Sequence, residues 1–273
     1  MIFPIILFLI SSFSIAMEPA AVRQTPRLNK QEYKAKRAQQ YATLLAMTQA
    51  ILAQKKDLNV PIKEGEFAGC TILTAAAQHR AFKDILMLAL NAGADPKMPD
   101  GNKKTPAIVA VSNLCTTSFK CLVKSNAQIM GQGLIQEICN RLHDTLNLKQ
   151  AMKRIEMLEC ILNQCPNPES KKQLAHETDG HENTALYHLL WTIDPFRNSA
   201  TAAQTHSVQQ RAIFYMQRKK MIRILLNAGL EVKQKNREGL NAVDNINAHP
   251  HLKDVELMGF LMAQVQKDTT GNP

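Results

Sequence analysis

The chain has 273 residues, a formal net charge of +10 and 45% hydrophobic residues, but only 5% aromatics and a single Trp. Hydrophobicity at that level suits an ordinary folded chain, while the scarcity of rings argues against an aromatic-rich sandwich and against a base-stacking platform for nucleic acid. The charge bears on encounter rate and non-specific affinity, not on fold.

Residues Ile2 to Ala16 carry no charge and are mostly Ile, Leu and Phe, and Ser14-Ile15-Ala16 offers small residues where a signal peptidase would read them. Residues 1–16 are therefore expected to be a cleaved leader directing export. An uncleaved membrane anchor over 2–16 and an internal start at Met17 stay open, although the stretch is short of the roughly 20 residues a span needs. No later segment is apolar enough to span a bilayer. Residues 17–40 form a polar lead-in, with Arg23, Arg27, Lys30, Lys34, Lys36 and Arg37 against Glu18 and Glu32. They read as a linker followed by a solvated helix face, or alternatively as a docking arm for anionic lipid or nucleic acid.

Beyond this the chain reads as helix after helix. Tyr41 to Gln54 bears a stripe of Leu44, Leu45, Met47, Ile51 and Leu52 at three-and-four spacing. Leu73–His79 and Asp84–Leu90 follow as a pair, and another pair begins at Pro106. Leu134–Leu148, Met152–Leu162, Thr184–Thr192 and Gln209–Leu226 are further helical stretches, and Val255–Val265 closes the series. The Gln209–Leu226 stretch shows Arg211, Arg218, Lys219, Lys220 and Arg223 as a basic face. With no period-two run, the class is all-α.

Two phrases recur along these helices. The first is Gly69-Cys70-Thr71-Ile72-Leu73-Thr74-Ala75-Ala76, which returns as Gly101-Asn102-Lys103-Lys104-Thr105-Pro106-Ala107 and as Asp179-Gly180-His181-Glu182-Asn183-Thr184-Ala185-Leu186. The second is Leu90-Asn91-Ala92-Gly93-Ala94-Asp95, echoed by Leu225-Leu226-Asn227-Ala228-Gly229-Leu230-Glu231. Thr71 and Thr105 lie 34 positions apart. The Thr hydroxyl can serve free donors at a helix start, Pro106 suits a first helical turn, and Gly93 and Gly229 can close a helix in the left-handed conformation. Asn236 to Asp244 reads as a last, degenerate opening.

On these phrases the sequence resembles the ankyrin-repeat family over residues 41–266. The resemblance implies an all-α solenoid of helix-turn-helix units joined by short hairpin loops. About six units are expected, the first and last atypical, with insertions near 128–149 and 194–207 and a polar tail over 267–273. It also implies a non-enzymatic scaffold that binds other proteins through its hairpin tips and inner helices. The candidate binding residues are then Lys97, Met98, Asp100, Asn102 and Lys103 at one tip and Lys233, Gln234, Asn236, Arg237 and Glu238 at another. Gln78, His79 and Arg80 are candidates as exposed inner-helix positions. An acidic protein partner would be favoured by steering. A monomer is expected, with no cofactor, no metal and no specific nucleic acid.

Catalytic signals are weak beside this. His176-Glu177 and His181-Glu182 are separated by turn residues, which is the wrong spacing for two ligands on one helical face. Gly131-Gln132-Gly133 lacks the strand and the third glycine of a dinucleotide fingerprint. The six cysteines invite a disulfide reading in an exported chain, with Cys160/Cys165 and Cys115/Cys121 the pairs to consider, but they also suit buried apolar positions. Trp191 is either inter-repeat packing or an interface anchor.

Overall fold

The computed structural model describes residues 29–141, 147–191, 208–248 and 259–263. The expected leader over 1–16, the expected insertion near 194–207, the side chain of Trp191, the tail and residues 17–28 of the lead-in lie outside the described residues. Residues up to Gln40 form one compact unit and those from Tyr41 another.

In the first unit, the opening turns of α1 (Lys30–Ala53) begin at a reciprocal cap. Asn29 Oδ1 accepts from the amides of Gln31 and Glu32, both at 2.9 Å, and Glu32 accepts from Asn29 N at 2.7 Å. This arrangement satisfies donors that have no partner within a helix. Arg37 lies 5.2 Å above the Tyr33 ring. These residues are almost all exposed.

In the second unit the helices alternate between two rows. The inner row is α2 (Ile72–Ala77), α4 (Pro106–Ser112), α6 (Leu134–Asn140), α9 (Ala185–Trp191) and α11 (Ala242–Ala248), each packed on the next. The outer row is α3 (Lys83–Asn91), α5 (Thr116–Lys124), α7 (Leu148–Asn163) and α10 (Val208–Asn227). A short α8 (Pro168–Ala175) follows α7. Among the described residues the only β pairings are the isolated bridges Thr178–Thr184 and Lys235–Asn241.

The repeated phrases explain where these helices start and stop. Thr71, Thr105 and Thr184 each accept from an amide three residues on, at 3.2, 3.4 and 3.5 Å. Three of the four outer helices, α3, α5 and α10, end alike: Gly93, Asn126 and Gly229 take positive φ, and Ala94, Ala127 and Leu230 donate back to Ala89, Leu122 and Leu225 at 3.0, 2.9 and 3.1 Å. At Asn126 an asparagine does the work of the glycine, which hides the phrase from a reading by residue type.

The core runs continuously along the second unit. Ile72, Leu73, Phe82, Phe119, Leu134, Leu158, Leu189 and Phe214 are all buried within it. α2 is buried at every position from Ile72 to Ala77. The six cysteines are free thiols, four of them buried, so they serve the core as small apolar groups. Burial pushes the Cys139 thiol far above its ordinary range.

The span 128–149, expected from the sequence as an insertion, contains α6, which stacks between α4 and α9 as an inner helix. The additional helix is instead α8, outside both expected insertions. The reason is local: α6 has no Thr start, and its N-terminus is set by Gly133 in the left-handed conformation, φ 62°.

Candidate functional site

Each inner helix is preceded by a hairpin tip, and three of these tips are built on the same bonds. At the first, Asp100 Oδ1 accepts from the amides of Asn102 and Lys104 at 2.8 and 3.0 Å. At the second, Asp179 Oδ1 accepts from His181 and Asn183 at 2.8 and 3.0 Å. At the third, Asn236 Oδ1 accepts from Glu238 and Leu240 at 3.0 and 3.1 Å. The fourth residue of each tip, Lys103, Glu182 or Gly239, has φ of 60°, 60° or 76°.

The side chain of the first residue thus satisfies the amides of a tight turn that has no ladder to satisfy them. Asp100 is 7% exposed. The structure therefore uses Asp100 and Asn236 to hold their loops, although both were expected to meet a partner. Of the expected contact residues, Lys97, Met98, Asn102 and Lys103 at one tip and Lys233, Arg237 and Glu238 at the other are exposed, with Gln234 half-buried. Met98 is 43% exposed and flanked by Pro96 and Pro99, which gives its tip an apolar knob between cations.

The tips are tied to one another. Gly101 N donates to Gly69 O at 2.7 Å, and a Cβ on Gly101 would come within 3.0 Å of that oxygen. Arg237 N donates to His181 O at 3.2 Å, and Asn236 Nδ2 to Asn183 Oδ1 at 3.0 Å. Between them, the Glu177 carboxylate accepts from the amides of Gly131 and Gly133, while Gln136 donates to Glu177 O. Burial raises the Glu177 carboxyl above its usual range, opposed by those two amides. The Gly131-Gln132-Gly133 loop is thus filled by a carboxylate of this chain. Glu177 carries no sequence signal as a tip residue, whereas Asp179 heads a recurrence of the first phrase and shares its Asp-Gly pair with 100–101.

Gln78, His79 and Arg80 do not join this row. They follow α2, and Gln78 Nε2 reaches back to Cys70 Sγ at 3.6 Å. Gln78 and His79 are half-buried and only Arg80 is exposed. His79 Nδ1 accepts from Ala81 N at 3.1 Å and its ring lies 5.7 Å from Phe82. The expectation of an exposed inner-helix face there fails because α2 is short and wholly buried.

Two of the histidines, His188 and His176, have structural partners. His188 Nε2 lies 3.0 Å from Asp179 Oδ2. His176 Nε2 accepts from Glu231 N at 3.2 Å, and its Nδ1 is 2.8 Å from Lys172 O. Among the described residues no group of three His, Cys, Asp or Glu could hold a metal ion, and no helix is long and apolar enough to cross a membrane.

Basic residues were expected to line one face of α10, and Arg218 does not. It is 3% exposed and donates to the carbonyls of Leu189 and Leu190 at the end of α9. Arg154 occupies the same place in α7, nine residues before Asn163 as Arg218 is before Asn227, and donates to Ile138 O of α6 at 3.1 Å. In these two units a buried guanidinium of the outer helix satisfies the end of its own inner helix.

No protein-family model matches the sequence, and no curated protein matches it significantly. Solved structures do match. A chain of the complex of the Bd0816 predatory endopeptidase from Bdellovibrio bacteriovorus with the immunity protein Bd3460 is 19% identical, with TM-score 0.51 over 82% of this chain and 95% of that one. An ankyrin repeat domain from Acinetobacter baumannii is 16% identical, with TM-score 0.54 over 85% of this chain and 97% of that one. The ankyrin repeat protein EF0377 is 15% identical, with TM-score 0.50 over 85% and 96%. Identities this low speak to fold alone, and with two helical rows joined by stapled tips they make the chain an ankyrin-repeat solenoid.

Proposed function

We propose that this chain is a non-enzymatic scaffold that binds another protein along its tip row. The observation that carries the reading is the construction of the tips. Their polar backbone is satisfied internally and adjacent tips are bonded together, so Met98, Lys97, Lys103, Arg237 and Glu238 are held in fixed places. Fixed contact residues lose little freedom on binding, which favours affinity. Met98 is the apolar anchor, and the Lys97 and Lys103 ammonium groups favour carboxylates on the partner. The fold relative taken from an endopeptidase–immunity protein complex supports an enzyme as partner, inhibited or protected by this chain. The apolar stretch 1–16 supports export from a bacterial cell, with the mature chain acting as a monomer.

The test is affinity capture by the chain from Met17 onward, in its own cell extract and medium, with washes at low and high salt. One protein retained at high salt, and lost with Met98→Ala/Lys103→Glu, is the expected result. A second reading, docking on anionic lipid or nucleic acid through the lead-in and α10, is favoured by the net charge. It predicts loss of all binding at high salt, and that outcome would replace the first reading.

A further inference from the structure

The basic surplus of the second unit lies largely away from the tips. At residues 95–104 three lysines face Asp95 and Asp100, and at 176–184 acids predominate. The outward face of α10 differs. Ala212, Tyr215, Met216, Lys219, Lys220 and Arg223 line an open groove of about 440 Å³. Its floor is apolar, its rim has three cations, and no acidic residue among the described ones lines it. Met216 is 36% exposed, and the Arg223 guanidinium is set 5.2 Å above the Phe260 ring, which fixes one end of the rim.

The fold does not require this composition. In α7, which packs on α10, the residues at the same distance from the helix end are Met152, Glu156 and Glu159, where α10 has Met216, Lys220 and Arg223. The methionine recurs and is 47% exposed in α7, whereas the rim changes sign. Arg218 is turned inward on α9 and takes no part, so the groove's charge comes from Lys219, Lys220 and Arg223.

We infer that this α10 groove is a second docking site, for an acidic amphipathic segment of a protein partner. Two or three apolar side chains of such a segment would fill the Ala212–Tyr215–Met216 floor while flanking carboxylates meet Lys219, Lys220 and Arg223. A volume of 440 Å³ suits side chains in a row. A lipid surface would prefer a flat or convex face, and single-stranded nucleic acid successive exposed rings, where the described lining offers the half-buried Tyr215. The site is independent of the tip row, so either can fail without the other.

The probe is a fluorescent synthetic helix of about 18 residues, or five turns, with Leu along one stripe and Glu beside it. The control has Lys in place of every Glu. Anisotropy with the full chain is expected to show the Glu peptide binding at least about tenfold more tightly, a difference of ~1.4 kcal/mol. Met216→Glu and Lys220→Glu/Arg223→Glu should abolish the preference, while Met98→Ala/Lys103→Glu should leave it intact. Circular dichroism on each variant separates loss of binding from loss of fold. No binding, equal binding of both peptides, or binding unchanged in the α10 variants would overturn the inference. So would phosphatidylserine vesicles that bind the chain, lose binding in the same variants and compete the peptide away.

Discussion

Replacing Arg218 with alanine removes a side chain that is 3% exposed and that holds two terminal carbonyls of α9. Hydrogen bonds from a charged donor contribute about 1.5–3 kcal/mol each, and a buried carbonyl left without a donor costs a further ~1–3 kcal/mol. Against this stands relief from desolvating a guanidinium, commonly several kcal/mol. Some of the freed carbonyls will also find water at the helix end. A net loss of about 3 kcal/mol is expected. With an m-value near 3 kcal/mol per molar urea, that moves the unfolding midpoint by about 1 M.

Because repeats couple mainly to their neighbours, the loss should fall on the α9–α10 pair and its flanks, and the transition should broaden or split. Arg154→Ala should behave alike, through loss of its bond to Ile138 O of α6. Lys220→Ala on the exposed face should stay within about 0.5 kcal/mol. The assay is urea unfolding followed by circular dichroism. An Arg218→Ala midpoint indistinguishable from that of Lys220→Ala would refute the helix-end role of the buried guanidinium.

The tips should respond to substitution and to acid. Asp100→Ala should destabilise by about 1–2 kcal/mol through two lost amide bonds. Asp100→Asn should be nearly silent, because Asn236 already does the same job with an amide oxygen; thermal melts of the pair decide this. Lys103→Gly should be neutral or stabilising by up to about 1 kcal/mol, since φ of 60° strains any side chain and Gly239 fills the equivalent place; equilibrium unfolding will show a loss if that is wrong. Acid should weaken the second tip.

That acid effect has a definite sign. Burial raises the Asp179 carboxyl, but the amides of Asn183 and His181, the Asn183 side chain and the His188 charge outweigh it and leave the group below its usual range. A depressed carboxyl contributes stability above its unfolded value near 3.9, and that stability is lost as pH falls through the lower folded value. His188 is lowered chiefly by burial, opposed by Asp179. Its contribution is present above its unfolded value near 6.5 and is lost as pH falls through the folded one. Stability measured from pH 7 downward should therefore decline in two stages. Asp179→Asn should remove the acid-most stage, and an unchanged profile in that variant would contradict the assignment.

The repeating unit is legible in local sequence. A Thr at a helix start, a Gly at a helix end and apolar residues at three-and-four spacing act within a few residues of one another, so Thr71, Thr105, Thr184, Gly93 and Gly229 could be placed without a structure. The same holds for the exposed tip residues Lys97, Met98, Asn102 and Lys103. Tertiary structure decided whatever depends on a partner distant in the chain. Asp100 and Asn236 look like surface polar groups until their loops close on them. Arg218 looks like part of a basic face until α9 ends beside it, 28 and 29 residues away in sequence. Glu177 acquires its place only when the loop at Gly131 and Gly133 folds back across 44 and 46 residues. Local periodicity reports which face of a helix is apolar. It does not report which polar side chain will be enlisted to satisfy a backbone group of another repeat, because that requirement arises only when the repeats stack.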